Sequence, residues 1–368
     1  MKIYIPSLKG HCGIYSIAKS KEVLNKLLNE DKNVLYVEIN SITLHPQNIH
    51  FDICEAEYKN INFFINFDVV DCQETGILYR LYSDESDDNA IVLTSKCNSN
   101  CIMCPCSENS RKFGCLYDLE YLKKWIHHVP GDVKFLTITG GEPTLLKSNF
   151  FNVLELLKNK FKNTEFLLLT NGRAFSNSKF IELFAEAMPD NLRVGIPIYA
   201  NISEIHDYIT QSNGSLIQAT KGIQNLISLG CDVELRIVIS KLNYLYLDNL
   251  AEYIVTNFKG LVSINFMGLE MLGNAAKNTE IVWIDYKTAF NRSKTAILKL
   301  IENGFDISLY NFPLCFVDKR FWPICKRSIS DYKVHYSKKC SDCSVKSICG
   351  GIFESTLRFC DINVIPIG

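Results

Sequence analysis

Three cysteines mark the stretch CNSNCIMC: Cys97, Cys101 and Cys104, at spacings of four and three. Thiolates at CxxxCxxC on one loop can hold three irons of a cubane [4Fe–4S] cluster, which leaves the fourth iron free to bind something else. A zinc site with three cysteines wants a histidine close by. The nearest ones, His127 and His128, fall on a predicted helix after the loop. Downstream, GGEP supplies Gly140 and Gly141, which lack side-chain bulk and let backbone approach a ligand closely. Glu142 adds a carboxylate suited to an ammonium group, and Asn171, in TNGR, can hydrogen-bond hydroxyls. Together these groups suit an amino acid joined to a nucleoside.

A second cysteine set closes the chain. CSDCSVKSICGG carries Cys340, Cys343 and Cys349. Three close thiolates again point to a metal. A fourth ligand is available from Cys315 in YNFPLC, Cys325 in WPIC, or Cys360. Spacing alone does not separate zinc from iron–sulfur here.

These residues need elements to position them. From Ala90 onward short apolar runs alternate with helical stretches. AIVLT, KFLTIT, EFLLLT, RVGIPIYA, VELRIVIS and VSINFMGLE read as strands, with helices of about 10–15 residues between them. That alternation predicts parallel βαβ units. About six units fit between 90 and 303, which suits an open or partial barrel rather than a complete one of eight. The cysteine loop, GGEP, NGR and the end of IPIYA each follow a strand, so all are expected at one mouth, where ligands gather in such folds. Residues 1–88 read as β-rich, in VLYVEINSITL, NIHFDIC and NINFFINFDVV, with Ser20 capping one helix. SDESDDN (83–89) reads as a linker. Residues 305–368 read as a small Cys-rich unit.

Composition limits the alternatives. Hydrophobic residues are 47% and charged residues 21% of the 368, enough to fill a core. A formal charge of −1 gives no general polyanion-binding field, so nucleic acid is not expected. No signal peptide and no membrane span are read, and the expectation is a soluble cytoplasmic chain. Fifteen cysteines in such a chain are ligands, thiols or packing residues rather than disulfides. Cys106 and Cys115 are read as structural.

CNSNCIMC, a strand ending in GGEP and a strand ending in TNG resemble the radical S-adenosylmethionine (SAM) superfamily over about residues 90–300. The resemblance implies that Cys97, Cys101 and Cys104 hold a [4Fe–4S] cluster whose open iron chelates SAM. Reductive cleavage then gives a 5′-deoxyadenosyl radical. It implies that Gly140, Gly141, Glu142 and Pro143 form the SAM-amine motif, that Asn171 meets the ribose, and that Arg236 meets the SAM carboxylate unless it forms only a salt bridge. Met103 stands where relatives often carry an aromatic beside the adenine. His206–Asp207 is read as either a SAM or substrate contact or a helix cap. The tail resembles the auxiliary-cluster extensions of radical SAM peptide maturases, most narrowly the His-Xaa-Ser system maturases, through NFPLC, RSISDY, CSDCSVKSICGG and INVIPIG. On that pattern Cys315, Cys340, Cys343 and Cys349 hold an auxiliary [4Fe–4S] cluster, with a structural zinc as the alternative. The resemblance further implies a precursor-peptide substrate and an external electron donor such as flavodoxin or ferredoxin, with room for a partner maturase. The alternatives are action on a small molecule or a protein side chain, and a non-catalytic iron–sulfur or zinc scaffold. No general acid or base is assigned; Tyr117, Tyr199 and Tyr310 are candidates by position only.

Overall fold

The computed structural model describes residues 1–368. The first 82 residues form a seven-stranded sheet. Its strands are β1 (Lys2–Tyr4), β2 (Gly13–Ala18), β3 (Val34–Glu38), β4 (Ser41–His45), β5 (Ile49–Asp52), β6 (Val69–Cys72) and β7 (Ile77–Tyr82), in the order β1-β7-β6-β2-β3-β4-β5. Only β2 and β3 pair in parallel, joined through the helix Lys21–Asn29. Ser20 caps that helix, accepting from the Val23 amide at 3.3 Å. NINFFINFDVV departs from its strand reading. The helix Glu55–Ile61 runs into it, and only Val69 and Val70 are strand. The Glu57 carboxylate closes the first turn of this helix on the Cys54 amide at 3.1 Å, a local bond that overrides strand propensity.

The second sheet is built from β8 (Ala90–Val92), β9 (Phe135–Thr139), β10 (Glu165–Leu169), β11 (Leu192–Pro197), β12 (Asp232–Val238), β13 (Ser263–Met267), β14 (Ile307–Tyr310) and β15 (Cys325–Lys326). Every neighbouring pair is parallel, and strands follow one another in chain order. All carboxyl ends therefore point one way. The α/β architecture and the parallel sheet are as read from the alternation. β14 and β15 lie beyond residue 304, in a segment read as belonging to the Cys-rich end. These short strands were hidden by the cysteines and prolines around them.

The helices cover one face of this sheet. Aromatic contacts fill the layer: Phe175 stands edge-on to Phe184 at 4.9 Å and to Phe180 at 5.2 Å. A single core of 56 buried residues runs through the sheet, and it includes Ile14, Val69 and Tyr82 of the first sheet. The bridge is the helix Leu119–His128, whose Leu122, Trp125 and Ile126 are buried. Tyr121 donates to Asp71 at 3.0 Å, and buried His128 shares a 2.9 Å hydrogen bond with Ser16. Nor is 83–89 a loose linker. The buried Asn89 side chain accepts from the Ser83 amide and donates to the Ser83 and Ser86 carbonyls, and Ser330 bonds to Asp88.

Two buried histidines carry a pH dependence, His128 at this junction and His206 beside Tyr199 in the second unit. Burial, then the neighbouring cations, hold His128 down at about 3, and burial holds His206 at about 4. An unfolded histidine titrates near 6.5. Below that pH the unfolded chain binds protons that the folded chain refuses. The stability is therefore complete above pH 6.5 and falls as pH drops toward 4, by about 1.4 kcal/mol per unit per histidine. Thermal unfolding between pH 7 and 5 is expected to show this loss, and His128→Gln to remove about half of it, His206 keeping the rest. An unchanged slope in that variant would refute the assignment.

No helix is long and apolar enough to cross a membrane, and all fifteen cysteines are free thiols.

Candidate functional site: a thiol triad at the strand mouth

The cysteine loop leaves β8 and is tied down at once. Leu93 donates to the Thr139 carbonyl at 2.8 Å, continuing the ladder past the strand. Gly141 then donates to Thr94 at 2.7 Å and Glu142 to Lys96 at 2.8 Å. The GGEP backbone thus lies directly against the residues that precede Cys97. A methyl group at Gly141 would fall 2.2 Å from the Lys96 carbonyl oxygen, and one at Gly140 would fall 2.3 Å from that of Thr94. Only glycine permits this approach. What the two glycines admit here is the cysteine loop itself.

Glu142 corrects a sequence expectation. Its carboxylate does not face the mouth; it is fully buried. One oxygen accepts from the Thr144 amide (3.2 Å), the Thr144 hydroxyl (2.7 Å) and the Thr170 hydroxyl (2.7 Å), and the other from the Asn171 amide (2.7 Å). Burial raises its pKa, and the four donors work against that rise. The side chain is a strut between the turns after β9 and β10. Three of the four bonds fall on one oxygen, and the carboxylate is held inside the fold by donors from both turns. Pro143, also buried, opens the short turn Pro143–Leu146.

The turn after β10 completes the cradle. Asn171 donates to the Asn98 side chain at 2.6 Å, and its own oxygen accepts from the Arg173 amide at 3.1 Å. Arg173 reaches the Asn98 carbonyl (3.0 Å), the Ser99 hydroxyl (3.3 Å), the Ser212 hydroxyl (2.7 Å) and Gln218 (2.7 Å). It was visible in NGR, but only the fold shows that it clamps the cysteine loop. Across the loop, Asn274 donates to the Cys101 carbonyl at 3.1 Å, and its amide donates to that of Cys104 at 3.0 Å. It follows β13, and nothing in the sequence marked it.

The three thiols sit together inside this frame. Backbone amides two residues on donate to sulfur, Ser99 to Cys97 and Cys106 to Cys104, both at 3.4 Å. Burial pushes the Cys97 thiol up to about 11 and that of Cys101 to about 12. Cys104 is held below the ordinary thiol value, first by a hydrogen bond from the Cys106 side chain. Cys106 is thus a neighbour that favours the Cys104 thiolate. The buried Tyr199 hydroxyl lies against Cys101, and its pKa is raised by burial and then by the thiols.

Other expectations divide. Met103 is 3% exposed, packed with Ile102, Tyr199, Leu269 and Met271. It shows almost no surface to an adenine, because this apolar cluster draws it inward. His206 is buried and accepts from the Tyr199 amide at 3.2 Å. Asp207 caps the helix Ser215–Ser228, accepting from Gly214, Ser215 and Leu216. Arg236 pairs with buried Glu234 at 2.7 Å on the inner face of the sheet, so the salt-bridge reading is realised. Arg193 flanks the same carboxylate at 3.9 Å. These groups line a polar cavity of about 1000 Å³ along the concave face. It runs from Asn191 and Asp232, at the amino ends of the strands, to Arg236 and Tyr310, at their carboxyl ends, and Lys326–Ser328 and Tyr332 wall it. Tyr117 lies elsewhere, stacked on Tyr121 at 5.0 Å.

The second cysteine set also gathers. Cys315 lies near Cys340 and Cys349, Cys340 near Cys343, and Cys325 near Cys349. The Leu314 and Gly351 amides donate to the Cys349 sulfur at 3.4 and 3.5 Å, and the Ile367 amide to that of Cys343 at 3.5 Å. The terminal INVIPIG is strapped over the set through Ser344 and Ile367, which explains its place in the pattern. Cys360 departs from the group and is buried with Met103 and Tyr199. In neither set do three side chains close round a point fit for a single metal ion. A cubane takes one thiolate per iron and so a wider set.

Residues 91–254 match the family model of the Radical SAM superfamily. The chain carries a radical SAM domain. The match begins in β8 and ends in the helix after β12, so it includes the triad, GGEP and NGR. The family implies SAM and a [4Fe–4S] cluster. The residues present fit that group: three thiols on one loop, amides aimed at sulfur, and a backbone cradle across the mouth. No curated protein matches the chain in sequence. Among solved structures, it is similar to SuiB of Streptococcus suis bound to precursor peptide SuiA (14% identity, 60% of this chain, 48% of that chain, TM-score 0.47). It is likewise similar to native anSMEcpe with bound AdoMet (18%, 60% and 63%, TM-score 0.48). A third is a radical SAM methyltransferase from Sphaerobacter thermophilus (13%, 74% and 73%, TM-score 0.44). The chain spans about half the length of SuiB.

Proposed function

We propose that this chain is a radical SAM enzyme that modifies a ribosomally made precursor peptide. The observation that carries the reading is the thiol triad, fixed beside the backbone of GGEP and NGR at the carboxyl ends of the strands, the end to which a polar cavity reaches through Thr139, Arg236 and Tyr310. A bound cluster with SAM supplies a 5′-deoxyadenosyl radical at that mouth. Cys97, Cys101 and Cys104 hold the cluster. The backbone of Gly140 and Gly141, together with Asn171, borders the SAM. The cavity mixes polar groups such as Asn191, Arg193, Glu234 and Arg236 with apolar ones such as Phe166, Leu169 and Met267, which suits an extended peptide with a polar backbone and varied side chains. Glu234 and its two arginines lie in its course.

In this reading residues 1–88 contribute peptide recognition, 89–304 the SAM site and 305–368 a second metal site. Cys315, Cys340, Cys343 and Cys349 hold an auxiliary cluster, and amides aimed at sulfur in both sets support iron–sulfur there too. A low-potential donor such as flavodoxin or ferredoxin supplies electrons.

The test is co-expression with candidate precursor peptides, followed by mass spectrometry of the peptide and measurement of 5′-deoxyadenosine. A defined mass change is expected with the native chain. Cys343→Ala is expected to keep part of the SAM cleavage and to lose the mass change. SAM cleavage without a mass change in any candidate would favour a small-molecule substrate. Product formation equal to the native chain in Cys343→Ala would remove the second site from the mechanism.

A further inference from the structure

Arg111 is a buried cation without a counter-charge. It stands on the short helix Glu108–Phe113, directly after the cysteine loop, and is 5% exposed. One terminal nitrogen donates to the neutral side chain of Asn100. Nε and the other terminal nitrogen are buried with no hydrogen-bond partner. No carboxylate pairs with it. Glu108, the acid on its own helix, is engaged by Lys112 at 2.7 Å and Lys277 at 3.7 Å. Moving an unpaired charge out of water costs several kcal/mol in real proteins, so an anion is missing from this picture.

The groups around the guanidinium show which anion fits. Arg111 lies among Cys97, Cys101, Cys104 and Cys106, bonded to the Asn100 side chain between the first two. As thiols, Cys97 and Cys101 are neutral and leave the cation short of negative charge. As ligands of a [4Fe–4S] cluster they are thiolates. Three thiolates on a 2+ core carry a net charge of −1, and reduction makes it −2.

Resting on the radical SAM reading above, we propose that Arg111 is the cluster's built-in counter-ion, a positioning residue that holds the loaded loop together and favours the reduced cluster. The redox step is a single electron from a low-potential donor into the 2+ core to give 1+, with no bond made or broken and no proton transferred. A positive charge beside the core lowers the energy of the more negative state, so its loss makes the cluster harder to reduce.

The experiment uses the full chain, reconstituted without oxygen, as native protein, Arg111→Gln and Arg111→Lys. Iron and sulfide per chain are measured first. Titanium(III) citrate titrations then follow the EPR signal that changes on adding SAM, which separates this cluster from one in the tail. Arg111→Gln is expected to shift the oxidised-to-reduced ratio about tenfold toward oxidised, equal to about 59 mV more negative for a one-electron couple. It should also take up less iron, while its iron-free form unfolds at no lower temperature than native iron-free protein. Arg111→Lys should restore most of the potential. A native chain that takes up no SAM-responsive cluster would overturn both the radical SAM reading and this inference. A cluster with the same potential in Arg111→Gln would overturn the inference alone. So would a potential unchanged while SAM affinity falls, because the arginine would then serve the ligand and not the cluster.

Discussion

Cys101→Ala is expected to abolish formation of 5′-deoxyadenosine. Cys101 is the central thiol of the triad, and its carbonyl is fixed by Asn274 while Tyr199 lies against its sulfur. Two remaining thiols of the CxxxCxxC loop cannot hold a cubane against water and oxygen, and Cys106, bonded to the Cys104 sulfur, does not occupy the place of the third. The expected loss in SAM cleavage is at least about 100-fold, above the usual effect of removing a mere supporting group. The SAM-responsive EPR signal should vanish with it, and iron per chain should fall. Cys101→Ser preserves size and should lose the signal equally, which separates ligand loss from misfolding. Cys115→Ala is the control. That residue is exposed, gives its carbonyl to Thr94 and Ser95, and touches Tyr117 through its thiol, away from the triad. Continued 5′-deoxyadenosine production by Cys101→Ala would show that the triad is not the metal site.

Glu142→Ala has the second largest effect, and it acts through structure. The substitution leaves four buried donors, from Thr144, Thr170 and Asn171, with no acceptor. Orphaned donors cost about 1–3 kcal/mol each. With partial relaxation the expected destabilisation is about 3–5 kcal/mol. At roughly 2–4 °C per kcal/mol for a large domain, the Tm falls by about 10 °C. Glu142→Gln keeps the shape but sets an amide N–H against one of those donors, so it should fall between alanine and native. The Asn171 turn and the cysteine loop share this strut, so SAM affinity should weaken in step with stability. A Tm unchanged in Glu142→Ala would show that the carboxylate is not a strut. Weaker SAM binding at unchanged Tm would return it to direct contact with the ligand.

Legibility followed the range of the interactions. The parallel sheet could be read because apolar runs alternating with amphipathic helices have few other ways to bury their surface. The three-cysteine loop could be picked out because its spacing is written along one short segment. The same logic placed GGEP and NGR at the strand ends. It did not say which way each side chain turns there. Glu142 looked like a ligand and is a strut, because four fixed donors, two of them from the turn after β10, compete with a mobile ligand for its oxygens. Met103 looked like an adenine platform and is core, because Tyr199 and Met271 form an apolar pocket behind the loop. β14 and β15 were missed because each is four residues or fewer and pairs only with strands already assembled.

The sequence by itself determined the chemistry offered: three thiols in one loop, glycines where backbones must touch, and a second thiol set at the end of the chain. Burial decided the rest. Arg111, Arg173 and Asn274 carry no distinguishing pattern, since one arginine or asparagine in a polar stretch looks like any other. Only the folded chain puts one guanidinium out of reach of water beside three sulfurs and ties another to the loop that bears them. Charge and hydrogen bonding depend on distance in space and on the exclusion of water, and spacing along the chain encodes neither.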